Sequence, residues 1–381
     1  MFSSLSKKTL LKAALFQNTP VYVQFYVTAR CNLTCEQCNI IYANSDLEEV
    51  GLDDIKKIAD NFSEMGVAIV LLTGGEPFVR KDLHLIIQVF EERGIHVRMQ
   101  TNGLATEERI QQAIEYGGRD ISISLDSLYS SKQDKINGDV NQSWHRALKA
   151  ISNFSKYLPF EKSFASLGCV MQPYNIDDIE NVIKFGTKIS WYTSLVPAHV
   201  TSFTNPRGFR TFDKSLLFSK HEFKKADNLL DKVHNMREQG YLLYDSDQYL
   251  EDIKRFIRGH EIEWRKRNNN LCDSPNLYFA VLPNGHFAPC CDHRMVNNYP
   301  VFDKKFPQIY KESLFRKEVK EITSSCEGCM YGSYPEMSIS MRFNMAKIQR
   351  IKNFMIPTPK KNWPLSYEDL LDISNSIIEQ R

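Results

Sequence analysis

The stretch Cys31-Asn32-Leu33-Thr34-Cys35-Glu36-Gln37-Cys38 carries three thiols on a loop that directly follows the apolar run 21–27. Thiolates this close together can converge on one inorganic centre. Structural zinc sites and iron–sulfur cubanes take four protein ligands, so three cysteines without a neighbouring histidine leave one coordination position open. An open coordination position indicates a reactive metal centre and not a purely structural one. The alternative is a structural zinc site that takes its fourth ligand from elsewhere in the chain.

A second motif, Thr73-Gly74-Gly75-Glu76-Pro77, ends the next strand-like run at 67–72. Paired glycines at the C-terminal end of a strand allow the backbone to come close to a ligand. A glutamate at this place can accept a hydrogen bond from an ammonium group. The motif therefore predicts a ligand-binding turn.

Together the two motifs resemble the radical S-adenosylmethionine (radical SAM) superfamily, over about residues 20 to 200. The resemblance implies that Cys31, Cys35 and Cys38 each bind one iron of a [4Fe-4S] cluster. The amine and carboxylate of S-adenosylmethionine (SAM) would chelate the fourth iron, and the turn 74–77 would hold the amine. The resemblance also implies a low-potential electron donor, such as flavodoxin or ferredoxin.

Short apolar runs alternate with helical patterns from Val21 to about Pro197, which is typical of repeated βα units with a parallel sheet. Six such units make an α/β fold, a partial (β/α)6 barrel open on one side, with its active site at the C-terminal ends of the strands. The resemblance implies the same barrel. Predicted helices cover 52–65 and 82–94, each stopped by a glycine. The predicted strands are 21–27, 67–72, 95–100, 120–125, 164–171 and 189–196.

Two further strand ends carry polar side chains where a ribose or a carboxylate can lie. Thr101 and Asn102 close the third strand, and Ser124 lies near the end of the fourth. Ordinary turn chemistry is the alternative for each. In families that this chain resembles, Ser124 would contact SAM, and Thr101 or Asn102 would lie near the ribose or the substrate.

Cys169, within the fifth strand, is interpreted as an inert core residue, with a hydrogen-atom donor in the barrel interior as the alternative.

A second set of cysteines consists of Cys272, Cys290, Cys326 and Cys329. Between the first two, strand-like runs on both sides of an Asn-Gly turn predict a β-hairpin that brings Cys272 and Cys290 together. The spacing alone allows either zinc or a cubane.

This second set resembles, over residues 272–329, the auxiliary-cluster domains of SPASM and twitch radical SAM enzymes. The full SPASM pattern has more cysteines than this chain supplies. The resemblance therefore implies one auxiliary [4Fe-4S] cluster, fully ligated by Cys272, Cys290, Cys326 and Cys329. Cys291 would be a bystander, with a radical-quenching thiol or an alternative ligand as the other options.

The chain is expected to divide into a helical N-terminal extension (1–20), the barrel (21–197), a helical insertion or linker (198–270), an auxiliary cluster domain with helices and strands (271–335) and a C-terminal tail with a helix (336–381). Within the insertion, helices are predicted around 221–239 and 246–264. The 48 basic and 46 acidic residues nearly cancel, so nothing demands a membrane or nucleic acid as partner. No apolar run approaches the roughly 18 residues of a membrane span. We therefore expect a soluble cytoplasmic protein, whose N-terminus forms a short amphipathic helix.

The leading functional hypothesis is a radical SAM oxidoreductase that acts on a small polar metabolite or a peptide, with the auxiliary cluster assisting oxidation or bond formation. The 20 residues before the first predicted strand leave little room for a leader-binding domain, which favours a small molecule. The alternatives are a peptide maturase and a redox-neutral epimerase with Cys169 or Cys291 as hydrogen donor. A hypothesis from another class, a zinc-stabilised RNA-binding module, leaves the turn at 73–77 unexplained.

Overall fold

The computed structural model describes residues 4–38, 47–199, 214–355 and 362–380. The first six strands lie within three residues of the predicted positions, which confirms the βα rhythm. A further pair of strands forms the predicted hairpin, with Gly285 at a φ of 78° in its turn. The strands are β1 (Tyr22–Thr28), β2 (Ile69–Gly74), β3 (His96–Thr101), β4 (Asp120–Ser124), β5 (Phe164–Met171), β6 (Tyr192–Pro197), β7 (Tyr278–Val281) and β8 (Phe287–Ala288).

Helices connect the strands and cover the C-terminal half of the chain. The two predicted between the early strands are confirmed, and Gly66 ends the first of them in a left-handed conformation. The described helices are α1 (Ser4–Phe16), α2 (Leu52–Met65), α3 (Leu83–Glu91), α4 (Glu107–Glu115), α5 (Ser130–Ile136), α6 (Ser143–Tyr157), α7 (Ile179–Lys188), α8 (Phe223–Glu238), α9 (Asp247–Phe256), α10 (Glu263–Lys266), α11 (Phe306–Ile309), α12 (Ser313–Ser324), α13 (Ser333–Arg342), α14 (Asn344–Met355) and α15 (Tyr367–Glu379).

The described strands form one open sheet in the order β6-β5-β4-β3-β2-β1-β7-β8. Strands β1 to β6 pair in parallel, as an incomplete barrel requires. The hairpin adds a feature that the sequence did not reveal, because β7 pairs in parallel with β1 and extends the barrel sheet. The cysteine-rich region is therefore attached to the barrel by backbone hydrogen bonds.

Side chains at alternate positions of the strands point either to an apolar outer face or to an inner face that is only partly polar. Outward-pointing side chains such as Phe25 and Leu72 belong to the main core between the sheet and its helices. On the other face, Gln24, Gln100 and Ser122 are only half-buried, although they occupy central positions in the sheet. The concave interior is thus lined, in part, by neutral amide and hydroxyl groups.

Helix α13, in the C-terminal part of the chain, fills part of this concave side. Its Tyr334 is buried and lies in one apolar cluster with Tyr26 of β1 and Tyr278 of β7. The rings of Tyr278 and Tyr334 are 4.8 Å apart between centroids. Packing of α13 against β1 and β7 places the segment that follows Cys329 beside the barrel interior.

The predicted N-terminal helix forms as α1, but its largest apolar side chains are divided between a buried and an exposed face. Ser6 and Ala13 are buried against the barrel, whereas Leu11, Leu15 and Phe16 are exposed. The hydroxyl of Ser6 lies within hydrogen-bond distance of the carbonyl oxygens of Ala68 and Gly94, just before β2 and β3, so α1 lies at the N-terminal ends of the strands. Small side chains allow this close approach.

One helix predicted over about 246–264 is broken into α9 and α10. Gly259 adopts a φ of 69° between them. The carboxylate of Asp252 accepts hydrogen bonds from the backbone N–H groups of Glu263 (2.9 Å) and Trp264 (3.1 Å), which stabilises the start of α10. Elsewhere the helix predicted near 221–239 is confirmed as α8.

Candidate active site at the C-terminal ends of the strands

The cysteine loop and the glycine turn meet at the C-terminal ends of β1 and β2. The backbone N–H of Gly75 donates to the carbonyl of Thr28 at 2.9 Å. The N–H of Glu76 donates to the carbonyl of Arg30 at 2.8 Å, directly before Cys31. The parallel register of the two strands therefore fixes the turn against the start of the cysteine loop.

Both glycines of the turn are required by this close contact. Gly74 has a φ of 142°, a conformation that other residues rarely adopt. A Cβ atom on Gly75 would overlap the carbonyl oxygen of Arg30 and lie 2.6 Å from its carbonyl carbon. The turn is thus shaped around the backbone that carries Cys31.

The carboxylate of Glu76 is buried and faces protein donors. It accepts hydrogen bonds from the N–H of Phe78 (2.9 Å), the hydroxyl of Thr101 (2.9 Å) and the N–H of Asn102 (2.7 Å). Burial raises the pKa of Glu76 to about 7, against the lowering effect of these hydrogen bonds. The carboxylate joins the ends of β2 and β3, and the ammonium contact predicted for it stays a prediction.

The three cysteines of the loop lie close enough to influence one another. Burial raises the pKa of the Cys31 thiol to about 11, with a smaller contribution from Cys38. The pKa of Cys35 is raised well above its ordinary value, first by burial and then by Cys38 and Cys31. Gathered thiolates need a cationic centre to be stable, and metal binding is what deprotonates such thiols.

Hydrogen-bond donors lie close to the sulfur of Cys31, as they commonly do around the sulfurs of iron–sulfur centres. The backbone N–H of Leu33 points at the Cys31 sulfur at 3.4 Å, and the Asn102 amide lies 3.8 Å from the same sulfur. Hydrogen bonds to cluster sulfurs are a common means of tuning such centres. Within the described ranges, no three His, Cys, Asp or Glu side chains are grouped so as to hold a single metal ion. The donor set fits a cubane with one open iron.

The remaining residues predicted to lie near SAM or the substrate differ in their burial and in their contacts. Asn102 lies against the cysteine loop, where its amide donates to Asn32 at 2.7 Å. The side chain of Thr101 is buried, and its hydroxyl donates a hydrogen bond to the Glu76 carboxylate. Ser124 is half-buried at the end of β4, on the inner face of the sheet. Cys169 belongs to the outer core, which fits an inert residue and not a donor in the barrel interior.

The four cysteines of the second set are also brought together. Burial raises the pKa of Cys272 to about 12, and Cys290 and Cys326 add to this increase. The pKa of Cys329 is raised by burial and then by the other three thiols. The backbone N–H of Gly328 points at the Cys326 sulfur at 3.3 Å, which repeats the arrangement at Cys31. This donor set fits a second cluster.

Cys291 lies beside the second set of cysteines, in hydrogen-bond contact with Cys290. It is buried in the apolar cluster of the concave side, together with Tyr26 and Tyr334. Burial raises its pKa well above the ordinary value, and a hydrogen bond with Cys290 adds to this. The protonated thiol is therefore the favoured form, next to the barrel interior.

Two groups near the site were not apparent from the sequence. Asp126, at the end of β4, is buried, accepts from the N–H of Val170 at 2.6 Å and has its pKa raised by burial to about 6. Tyr331 stacks on His199 with centroids 3.8 Å apart and donates to Asp292 at 3.0 Å. Only its position two residues after Cys329 could have marked Tyr331 in advance.

Comparison with known proteins places these features in a family. The model of the Radical SAM superfamily matches residues 25–186. A GTP 3',8-cyclase of Tolumonas auensis is 36% identical over 122 residues, which are 31% of this chain and only 36% of that protein. An AdoMet-dependent heme synthase of Nitratidesulfovibrio vulgaris is 31% identical over 330 residues, 81% of this chain and 84% of that protein. The chain belongs to the radical SAM superfamily.

Members of this superfamily use a [4Fe-4S] cluster and SAM, and the relatives of this chain include members of the SPASM/twitch subgroup, which implies an auxiliary cluster. Among solved structures, Streptococcus suis SuiB bound to S-adenosylmethionine has a TM-score of 0.60 at 16% identity, covering 84% of this chain and 71% of SuiB. That likeness confirms the open barrel followed by a C-terminal helical domain. Family membership removes the support for a zinc-stabilised RNA-binding module.

None of the helices in the described part of the chain has the length and apolar content that crossing a membrane requires.

Proposed function

We propose that this radical SAM enzyme is an oxidoreductase that cleaves SAM reductively and takes a hydrogen atom from a polar substrate held in the barrel. The observation that carries the proposal is the joining of the glycine turn to the cysteine loop, through the N–H groups of Gly75 and Glu76. This contact fixes both motifs at one end of one sheet. The position is the one at which barrels of this kind place their active sites.

At the C-terminal ends of β1 and β2, different residues would hold the cluster and SAM. Cys31, Cys35 and Cys38 would hold the cluster, and the backbone of the turn 74–77 would hold the amine of SAM. When both groups are bound, they supply a 5'-deoxyadenosyl radical that removes a hydrogen atom from the substrate. Asn102, which contacts the cysteine loop, would position that loop against the end of β3.

The lining of the barrel supports a polar substrate. Gln24, Gln100 and Ser122 are half-buried on the inner face, where they offer neutral donors and acceptors. Ser194 of β6 is also half-buried, and it donates to Asp245 at 2.6 Å. Polar groups of this kind recognise hydroxyl, amide or carboxyl groups, and an apolar substrate would leave them unpaired.

The second site would hold one auxiliary [4Fe-4S] cluster with four protein ligands, in a domain over about 271–335. A cluster without an open iron suits electron transfer, so we assign it the electron that leaves the substrate radical. The pairing of β7 with β1 supports this role, since it fixes the cysteine-rich region to the barrel. A low-potential flavodoxin or ferredoxin would reduce the first site.

The substrate is a peptide or a small polar metabolite. A peptide is supported by the structural likeness to SuiB, which has also been solved bound to precursor peptide SuiA. A redox-neutral epimerase is the second candidate, because the Cys291 thiol is buried on the concave side, where it can return a hydrogen atom.

The test is anaerobic reconstitution followed by incubation with SAM and dithionite. We expect about eight irons per chain, four for each cubane, and formation of 5'-deoxyadenosine. Replacing Cys31, Cys35 and Cys38 with Ala should abolish deoxyadenosine. Replacing Cys326 and Cys329 with Ala should leave some uncoupled cleavage and stop product formation. Deoxyadenosine from the first variant at the wild-type rate would refute the site.

A further inference from the structure

The outward face of α1 carries large apolar side chains that the fold leaves uncovered. Leu11, Leu15 and Phe16 are 64%, 69% and 65% exposed. Surface helices normally bury their large apolar side chains against the core. Helix α1 packs on the core through Leu10, Ala13 and Ala14, and Leu11, Leu15 and Phe16 form a second apolar row that the core does not cover. Exposure of three neighbouring large apolar side chains costs solubility and adds nothing to the stability of the isolated chain. Such patches mark interaction sites.

The same face of α1 is positively charged. Lys7, Lys8 and Lys12 are exposed, and the helix contains no acidic residue. At 100° per residue, these lysines and the three apolar side chains share one half of the helix surface. Among the described residues, none of the ion pairs includes these lysines.

A second helix with exposed apolar side chains begins close to the end of α1. Met345, Ile348 and Ile351 of α14 are 68%, 45% and 48% exposed, and α14 also lacks acidic residues. The amide of Gln17, directly after α1, donates to the carbonyl of Met341 at 3.3 Å. Since four residues span at most about 14 Å, the row on α14 begins beside the end of α1.

We propose that these two outward faces form a basal surface that binds the headgroup region of an anionic lipid bilayer. Amphipathic helices that rest on membranes combine lysines with Leu and Phe in this way, and each Lys near an anionic leaflet adds to binding. The basal surface consists of Lys7, Lys8, Leu11, Lys12, Leu15 and Phe16 of α1 with Met345, Ile348, Ile351 and Lys352 of α14.

Other occupants fit the charges and the geometry less well. A second copy of the chain would bring lysines against lysines in a symmetric dimer, which is repulsive. An acidic electron donor would bind at the wrong end of the barrel, because Ser6 fixes α1 to the N-terminal ends of the strands. Strands of six or seven residues place the cysteine loop roughly 20 Å from that end.

Docking by the basal surface leaves the barrel mouth open to solvent. The site at the C-terminal strand ends would face away from the bilayer, so peripheral binding is compatible with substrate access. From the sequence we expected no membrane partner, because acidic and basic residues nearly balance over the whole chain. Helices α1 and α14 depart from this balance, since neither contains an Asp or Glu. The proposed contact is peripheral and involves no spanning segment.

The test is sedimentation of the full-length reconstituted protein with vesicles of phosphatidylcholine, alone or with about 30% phosphatidylglycerol. We expect binding only to the anionic vesicles, weakened by salt. Lys7→Gln/Lys8→Gln/Lys12→Gln should lower the partition coefficient about a hundredfold. Leu11→Ser/Leu15→Ser/Phe16→Ser should lower it about tenfold or more.

A matched control uses exposed apolar side chains elsewhere. Phe160, Val296 and Leu314 are 60%, 88% and 66% exposed, and their triple replacement by Ser should leave vesicle binding unchanged. Circular dichroism and iron content check that all variants are folded. Failure of the wild type to bind anionic vesicles would overturn the proposal. So would a wild-type dimer that the α1 serine variant converts to a monomer, since the surface would then serve self-association.

Discussion

The carboxylate of Glu76 accepts a hydrogen bond of 2.7 Å from the backbone N–H of Asn102, and this contact ties the end of β2 to the end of β3. The same carboxylate holds Thr101 and the N–H of Phe78. Asn102 in turn reaches the cysteine loop through Asn32. One buried side chain thus positions three segments of the candidate site.

Replacing Glu76 with Ala should destabilise the chain by about 2–4 kcal/mol, because buried donors at Phe78 and Asn102 lose their acceptor. Urea unfolding of the iron-free protein measures the change. Glu64→Ala is the control, since Glu64 is exposed on α2 and its removal should change stability by less than about 0.5 kcal/mol. Equal effects of the two substitutions would show that the Glu76 contacts contribute nothing to folding.

Glu76 should also make stability depend on pH. Its pKa is raised to about 7 in the folded state by burial, so the folded state holds a proton that the unfolded state has already lost between roughly pH 4.5 and 7. Raising the pH through this window should therefore lower the unfolding free energy of the wild type, relative to Glu76→Gln, by roughly 3 kcal/mol. The measurement is a series of urea titrations on both proteins. A difference that grows with pH would contradict the expected sign.

Gly75→Ala should disturb the first cluster site more than the rest of the fold. The new Cβ would overlap the carbonyl of Arg30 and push the backbone before Cys31 away from the turn. We expect reconstituted iron to fall from about eight to about four per chain, with deoxyadenosine formation reduced at least about tenfold. Gly51→Ala, where a Cβ meets nothing within 4 Å, is the control and should load normally.

Cys290 and Cys291 should behave differently despite being neighbours. Cys290→Ala should lose the auxiliary cluster and leave about four irons, whereas Cys291→Ala should keep about eight. The reason is that Cys272, Cys290, Cys326 and Cys329 already supply the four protein ligands that a fully ligated cubane takes. Iron and sulfide analysis of both variants decides the question. Loss of four irons from Cys291→Ala would mean that the ligand set is wrong.

The motifs and strands were accessible from the sequence because they depend on local chemistry. Three thiols at x3 and x2 spacing and a Gly-Gly-Glu-Pro turn are readable without coordinates, and so is the alternation of βα units. The hairpin at Gly285 was also predicted, since its turn chemistry is local. The pairing of β7 with β1 was not, because a contact between strands about 250 residues apart leaves no local pattern.

The sequence by itself determined the class of protein, since residue types and spacing fix which metal centre and which strand–turn units can form. Only the tertiary structure decided where single side chains point. It turned the Glu76 carboxylate toward Asn102, placed Cys169 in the outer core and left three large apolar side chains of α1 facing solvent. The physical reason is that the free energy of burial depends on the neighbours that packing supplies, and those neighbours are distant in the sequence.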